Sequence, residues 1–368
     1  MKRIEELPFF YKAQIRPGNG NFPDTFPFDL YFDQELRMFR QKATEPLRRI
    51  MNEVYLQGSL VEGSVSSESG IVYISKVIDY LFSNYKLEEN SNVLEIGYGS
   101  GVLLKELHGR GIKYLTGIEP GIHPKVEGLE EVRLINDFFP SKRLNEPFDF
   151  IYSFGILEHI EDPVTFLREQ KKLILNNGKI VFGVPNCEPH LAAGDLSVFI
   201  HEHYNYFTIK SIFSVVKAAG LFVNDISIVE GSFLVTLSRE DIQFKFDHLI
   251  FQEIDFYEKS DEHLFHLLKL FEEFPEGSIS VYSPVRAMNV LFLIGKNKVR
   301  LVDDNSELHN KYLPVFKNRI ESFDVMVNSP PLCLLIFSRT FGARIKAKCI
   351  SDARLASTRI ITLEEINK

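Results

Sequence analysis

The sequence predicts an α/β protein: a doubly wound, largely parallel sheet covered by helices, followed by a smaller α/β domain and preceded by an aromatic arm. Three observations carry that expectation. Short apolar runs ("NVLEIGYG", "YLTGIEP", "VRLINDFFP", "FDFIYSFGILEH", "GKIVFGVPN") alternate with helix-like segments, the pattern of parallel strands buried on both faces. A glycine turn, Glu95-Ile-Gly97-Tyr-Gly99-Ser-Gly101, stands where the first of these runs hands over to its helix. The 368 residues also exceed the ~250–300 at which single cores stop growing, so two domains are expected.

Taken in order, residues 1–68 form an arm rich in Phe, Pro and Asp, with "RPGNGNFPDTFPFD" as a turn-laden stretch that packs aromatics. From Ser69 a helical spacing begins, with Ile71, Ile74, Val77, Ile78, Leu81 and Phe82 on one side. The ligand-binding module then runs from 69 to 240, and "PVTFLREQKKLIL" is one of its covering helices. Thr208 can cap a helix that Gly220 ends, and "LFVNDISIVEGSFLVTLSR" reads as a hairpin turning through Glu230-Gly231. Residues 241–275 read as a helical connector, and 276–368 as the second α/β domain.

Composition bounds the partners. Hydrophobic residues make up 45% and charged residues 25%, a soluble globular balance, with 32 Phe and no Trp. A net charge of −8 argues against a general nucleic-acid binder, which needs a basic excess. The three cysteines, Cys187, Cys333 and Cys349, contain no CxxC pair, so a zinc ribbon is excluded and a reducing compartment is favoured. The start "MKRIEELPFF" lacks an apolar h-region and no apolar run approaches ~18 residues; the expectation is a cytoplasmic protein with no membrane partner. Arg339, Arg344, Lys346 and Lys348 read as solvated surface in preference to a diphosphate site.

Glycines at a strand-to-helix turn let the backbone approach a ligand, and the helix N-terminus offers free N–H groups. A dinucleotide fingerprint wants GxGxxG, whereas GxGxG preceded by Glu95 suits a zwitterionic amino-acid tail and a cationic centre better. Glu119 ends the second strand, where a carboxylate accepts both ribose hydroxyls of either NAD or S-adenosylmethionine. Asp137 ends the third, positioned for an adenine amino group, with Phe138 available to cover the ring.

"VLEIGYGSG", "GIEP", "ND" and "SFGILEHIEDP" resemble the motifs of class I S-adenosylmethionine-dependent methyltransferases over roughly residues 70–240. The resemblance implies a Rossmann-like seven-stranded sheet with an antiparallel last strand, in agreement with the hairpin. It also implies that Glu95, Gly97, Gly99 and Gly101 line the methionine part, Glu119 the ribose, and Asp137 and Phe138 the adenine.

"FIHEHYNYFT" after the fifth strand, "VEGSFLVTLS" at the hairpin and "VDDNSELHNKYLP" in the trailing domain resemble sugar C-methyltransferases that act on nucleotide-linked keto sugars. By that resemblance Glu202 and His203 are the catalytic pair, with His203 as the base. Carbon beside a ketone becomes nucleophilic only on losing a proton, and imidazole, with an ordinary pKa of ~6.5, can take it. His201, Tyr204, Glu158 and His159 are candidate acceptor contacts. His201-x-His203 in an extended segment could form one edge of a metal site. No further ligand group announces itself in the sequence, so no metal is expected.

Three departures stand out. "FPFDLYFDQELRMFRQ" occupies the region of the family's zinc module without a Cys, Gly155 stands where the family often has Asn, and "VYSPVRAMN" replaces a Gly-Ala turn. O- or N-methylation of another small molecule, and a binding subunit that has lost catalysis, are the competing expectations.

Overall fold

The computed structural model describes residues 2–57, 68–121, 127–241 and 255–366, without the side chains of 68 and 69. Its first elements are β1 (Lys2–Pro8), β2 (Thr25–Asp33), β3 (Met38–Gln41), α1 (Glu45–Leu56) and α2 (Glu68–Asn84). Next come β4 (Asn92–Ile96), α3 (Val102–Gly109), β5 (Tyr114–Glu119), β6 (Arg133–Asn136), β7 (Phe148–Phe154), α4 (Pro163–Leu173) and β8 (Ile174–Pro185). After α5 (Glu188–Ala192), β9 (Asn205–Tyr206) and α6 (Ile209–Ala218), the hairpin β10 (Phe222–Val229) and β11 (Ser232–Ser238) follows. The rest is α7 (Phe256–Glu272), β12 (Ile279–Tyr282), α8 (Pro284–Leu293), β13 (Arg300–Val302), β14 (Ile320–Glu321), α9 (Phe323–Val327), β15 (Cys333–Ile336), α10 (Gly342–Ser351), β16 (Arg359–Thr362) and α11 (Leu363–Ile366).

The chain divides into two compact units, one comprising Leu30–Asn186 and Glu202–Phe251, the other Met1–Asp29, Cys187–His201 and Gln252–Lys368. This division differs from the consecutive boundaries expected at 68, 240 and 275. Each unit is assembled from separated stretches, and local sequence pattern carries no signal of such interleaving.

The first unit holds a seven-stranded sheet of order β10-β11-β8-β7-β4-β5-β6. The four pairings from β6 through β5, β4 and β7 to β8 are parallel, while β11 lies antiparallel to both β8 and β10. The expected α/β, Rossmann-like sheet with an antiparallel last strand is therefore present. Its hairpin turns through Glu230 and Gly231, both at positive φ (46° and 79°), the backbone a two-residue primed turn requires. One face buries Leu94, Ile118, Ile151, Phe182 and Phe233, the other Val93, Leu104, Leu115, Tyr152 and Leu234. Adjacent strand residues go to opposite faces, so a sheet covered on both sides needs unbroken apolar runs.

Thr208 caps α6 by accepting from Ser211 N, and the Ser211 hydroxyl returns the bond to Thr208 N. The region expected to replace a zinc module is a plain hairpin: Leu30–Asp33 pair with Gln41–Met38, and β3 pairs in turn with β9.

The other unit contains a five-stranded sheet of order β14-β13-β12-β15-β16, with every pairing parallel. The expected βαβ organisation of the trailing domain is thus present. Its basic residues have partners within the unit. Arg339 Nε donates to the wholly buried Asp195 at 2.8 Å, Lys348 pairs with Asp304 and Lys346 with Glu365, each at 2.6 Å, and Arg344 lies over the Phe341 ring. Arg339 is consequently a buried ion-pair partner and not solvated surface.

Gly194, at φ +67°, is the tightest backbone position of this unit. A Cβ there would lie 2.2 Å from the carbonyl carbon of Lys259, whereas a Cβ on Gly277 (φ +80°) would meet nothing within 4 Å. Gly194→Ala is expected to cost several kcal/mol and Gly277→Ala about 1 kcal/mol, because only the first adds a backbone clash to left-handed strain. Thermal unfolding of the two variants side by side checks this.

Candidate active site

The glycine turn leaves the carboxyl end of β4. Gly97, Gly99 and Gly101 have φ of +79°, +47° and +73°, which favour glycine. Gly97 N donates to Ile118 O at 2.8 Å and Gly101 N to Tyr98 O at 2.7 Å. The two sides of the turn differ. A Cβ on Gly97 would stand 2.2 Å from Ile156 Cδ1, while one on Gly99 would meet nothing within 4 Å. One glycine is needed for packing, and the other leaves space for a ligand over the start of α3, whose cap Gly101 offers no side-chain acceptor.

Glu119, at the end of β5, reaches back to this space. Its Oε2 accepts from Gly99 N at 3.4 Å and its Oε1 from Gly121 N at 2.9 Å. Asp137 accepts from the Ser141 hydroxyl at 2.6 Å and from Phe138 N at 2.9 Å, and these bonds hold its carboxyl below the ordinary value. The Phe138 ring is 46% exposed and free to lie on a planar ligand. Glu95 is the exception to an open donor site. It is buried, accepts from the Tyr152 hydroxyl at 2.9 Å, and is pushed up to about 8 by burial, with Glu119 adding to the shift. An acidic, glycine-lined turn of this kind fits a ligand with a cationic amino-acid end and ribose hydroxyls.

The acceptor side begins at the end of β7. Gly155 has φ +66°, a left-handed conformation that glycine adopts freely and Asn also tolerates. The turn that follows is stitched to the segment before β9: Tyr204 N donates to Glu158 O at 2.8 Å, and Asn205 Nδ2 to Leu157 O at 3.1 Å and Ile160 O at 2.6 Å. These bonds bring Glu158 and His159 to Glu202 and His203.

The imidazoles of His159 and His203 meet edge to face, with centroids 4.7 Å apart. His159 Nδ1 lies 3.0 Å from the Glu202 carbonyl, and burial lowers this imidazole to about 4, so the ring is neutral. Burial raises Glu158 and Glu202 each to about 8. The Tyr55 hydroxyl, on α1, stands 3.4 Å from both His159 Nδ1 and the Glu202 carbonyl.

Two expected contacts do not stand in this cluster. His201 is a core imidazole of the other unit, 3% exposed, with Nε2 3.1 Å from Phe26 O and its ring against Phe9, Phe26 and Phe28. Tyr204 is also buried; its N–H serves Glu158, its carbonyl accepts from Gln41 N at 3.0 Å, and burial raises its phenol to about 12. The His201-x-His203 edge does not form because 201–202 is a turn, and the alternation of an extended segment fails there. Tyr206 and Phe207 are fully buried, as core packing required.

Tyr55, Tyr152 and Ile156 escaped the sequence reading. Tyr152 had a signal, a hydroxyl inside the apolar run "FDFIYSF" that must find a polar partner. Tyr55 had none.

Sheet order, glycine turn and carboxylates at successive strand ends are those expected of a class I methyltransferase domain dependent on S-adenosylmethionine. Residues 70–225 match the family model described as a methyltransferase domain. The chain is 25% identical over 154 residues to the ubiquinone biosynthesis O-methyltransferase of Aeromonas salmonicida (strain A449), covering 37% of this chain and 64% of that one. It is 27% identical over 156 residues to the tRNA U34 carboxymethyltransferase of Idiomarina loihiensis, covering 38% and 47% respectively. The chain thus spans between about half and just under two thirds of the curated relatives it matches. Among solved structures, an S-adenosylmethionine dependent methyltransferase from Mesorhizobium loti matches with a TM-score of 0.36 and 12% identity, covering 47% of this chain and 99% of that one. No helix among the described residues is long and apolar enough to cross a membrane.

Proposed function

We propose that this chain transfers the methyl group of S-adenosylmethionine to a small-molecule acceptor, a nucleotide-linked keto sugar methylated on the carbon beside its ketone. The carrying observation is the cluster of Glu158, His159, Glu202 and His203 at the carboxyl end of the sheet, where open α/β folds bind ligands. The bound donor supplies an electrophilic methyl on a sulfonium. Glu119 and the Gly99 backbone orient it through the ribose, and Asp137 and Phe138 through the adenine.

His203 takes the proton from the acceptor carbon. Glu202 is its assistant, and its buried carboxyl, raised to about 8, is a second group able to exchange a proton near neutral pH. The neutral His159 ring donates Nδ1–H to the Glu202 carbonyl, which leaves Nε2 as an acceptor for a hydroxyl of the sugar. The net charge of −8 favours a small acceptor over tRNA. A second reading, methylation of a hydroxyl oxygen by the same base, draws support from the O-methyltransferase relative.

Incubating the protein with S-adenosylmethionine and a panel of nucleotide sugars should release S-adenosylhomocysteine and add one methylene mass unit to a 4-keto sugar. Deuterium on the carbon beside the ketone separates the two readings, since carbon methylation must remove that label and oxygen methylation need not. Failure of S-adenosylmethionine to bind by calorimetry would sink both.

A further inference from the structure

We propose that Glu158, His159 and His203 form a binding site for a divalent cation of the zinc, cobalt and manganese class. One donor atom from each of the three side chains lies within 4.8 Å of the other two. Donors around such a cation, at about 2.1 Å from it, stand roughly 3–4 Å apart, so small side-chain rotations complete the set. Two imidazoles and a carboxylate are the donors that borderline transition cations prefer, and three protein ligands leave positions open for a substrate oxygen.

Two further observations point to a ligand here. Glu158 is 3% exposed, and its Oε2 has no hydrogen-bond partner. A buried carboxylate oxygen without a donor is costly unless a cation or proton meets it. His159 Nδ1 lies against the Glu202 carbonyl at 3.0 Å, which fixes the ring and directs the Nε2 lone pair away from that carbonyl. A second nitrogen docked on a backbone carbonyl is the support that metal-ligating histidines ordinarily have. No ligand spacing announces this set, since its members come from two separate stretches of the chain and the adjacent His201 is not among them.

This inference rests on the location of the active site proposed above but not on its chemistry. In the cation-bound form the cation polarises the acceptor's ketone oxygen and His203 is a ligand, so Glu202 takes the proton; in the cation-free form His203 keeps that task.

The test needs neither methyl donor nor acceptor. Full-length protein stripped with a chelator is titrated with Co2+, and visible absorption and calorimetry are followed. One equivalent should bind with the intense bands of low-coordinate cobalt, and Zn2+ should displace it. Glu158→Gln and His159→Asn should each weaken binding at least tenfold, while S-adenosylmethionine affinity stays near that of the parent and Glu158→Gln, which removes a buried acid, does not lower the melting temperature. If one variant folds poorly, the other decides. Substoichiometric binding, or binding that survives both substitutions unchanged, overturns the proposal; an absent sugar methylation does not.

Discussion

His203→Ala is expected to lower turnover by about 10²–10⁴-fold, the usual worth of a positioned proton-transfer group. S-adenosylmethionine affinity should change little, because the proposed donor contacts run through the glycine turn, Glu119 and Asp137, all at other strand ends. The ring is half-buried and lies against the His159 and Tyr206 rings. Steady-state kinetics with donor titration gives the answer. A fall in kcat at constant donor affinity fits a residue that acts on the acceptor, whereas equal loss of both assigns His203 a structural task.

The second large effect concerns Glu95 and pH. Burial lifts its folded value to about 8 against an ordinary 4.5, so the ligand-free fold prefers the neutral acid. Such a group contributes stability fully below its unfolded value and loses it as pH rises through the folded value. Between about pH 4.5 and 8 the ligand-free protein should therefore become progressively less stable, with Glu158 and Glu202 acting in the same direction.

Glu95→Gln removes one of the three contributions and keeps an acceptor for the Tyr152 hydroxyl. At about 1.4 kcal/mol per pKa unit, this variant should be more stable than the parent near pH 7 by on the order of 2–3 kcal/mol. The same change should weaken S-adenosylmethionine binding roughly 10–100-fold, because a buried carboxylate facing a cationic ligand is lost. Thermal melts across that pH range, with and without the donor, test both halves. A parent melting curve that is flat with pH would show that Glu95 is not held neutral.

The strands were legible as short apolar runs, and four of them, β4 to β7, are closed by a chemically distinctive residue: Glu95 and its glycines, Glu119, Asp137 and Gly155. The Glu230-Gly231 turn and the Thr208 cap were legible for the same reason, since a local backbone requirement selects the residue type. The proposed donor site rests on those same strand ends.

The acceptor site was legible only in part. His203 and Glu158 stood out, but Tyr55 arrives through its hydroxyl, which meets His159 Nδ1 and the Glu202 carbonyl from a stretch far away in sequence, and no spacing rule reports such a contact. The extended alternation that His201-x-His203 would need fails because 201–202 is a turn. The burial of His201 follows from Phe9, Phe26 and Phe28, which the arm supplies.

The chain passes between its two units at 29–30, 186–187, 201–202 and 251–252. The third passage falls inside "HEHYNYF", so the peptide bond linking His201 to Glu202 joins the core of one unit to the chemistry of the other. Modularity is the casualty. A fragment ending at 251 would strip residues 187–201 of the aromatic ring of Phe256 against Phe199 and of the Asn289 amide on the Phe199 carbonyl. Neither unit corresponds to a single terminal stretch of the chain, so a truncation at one end removes part of a unit and not a whole one.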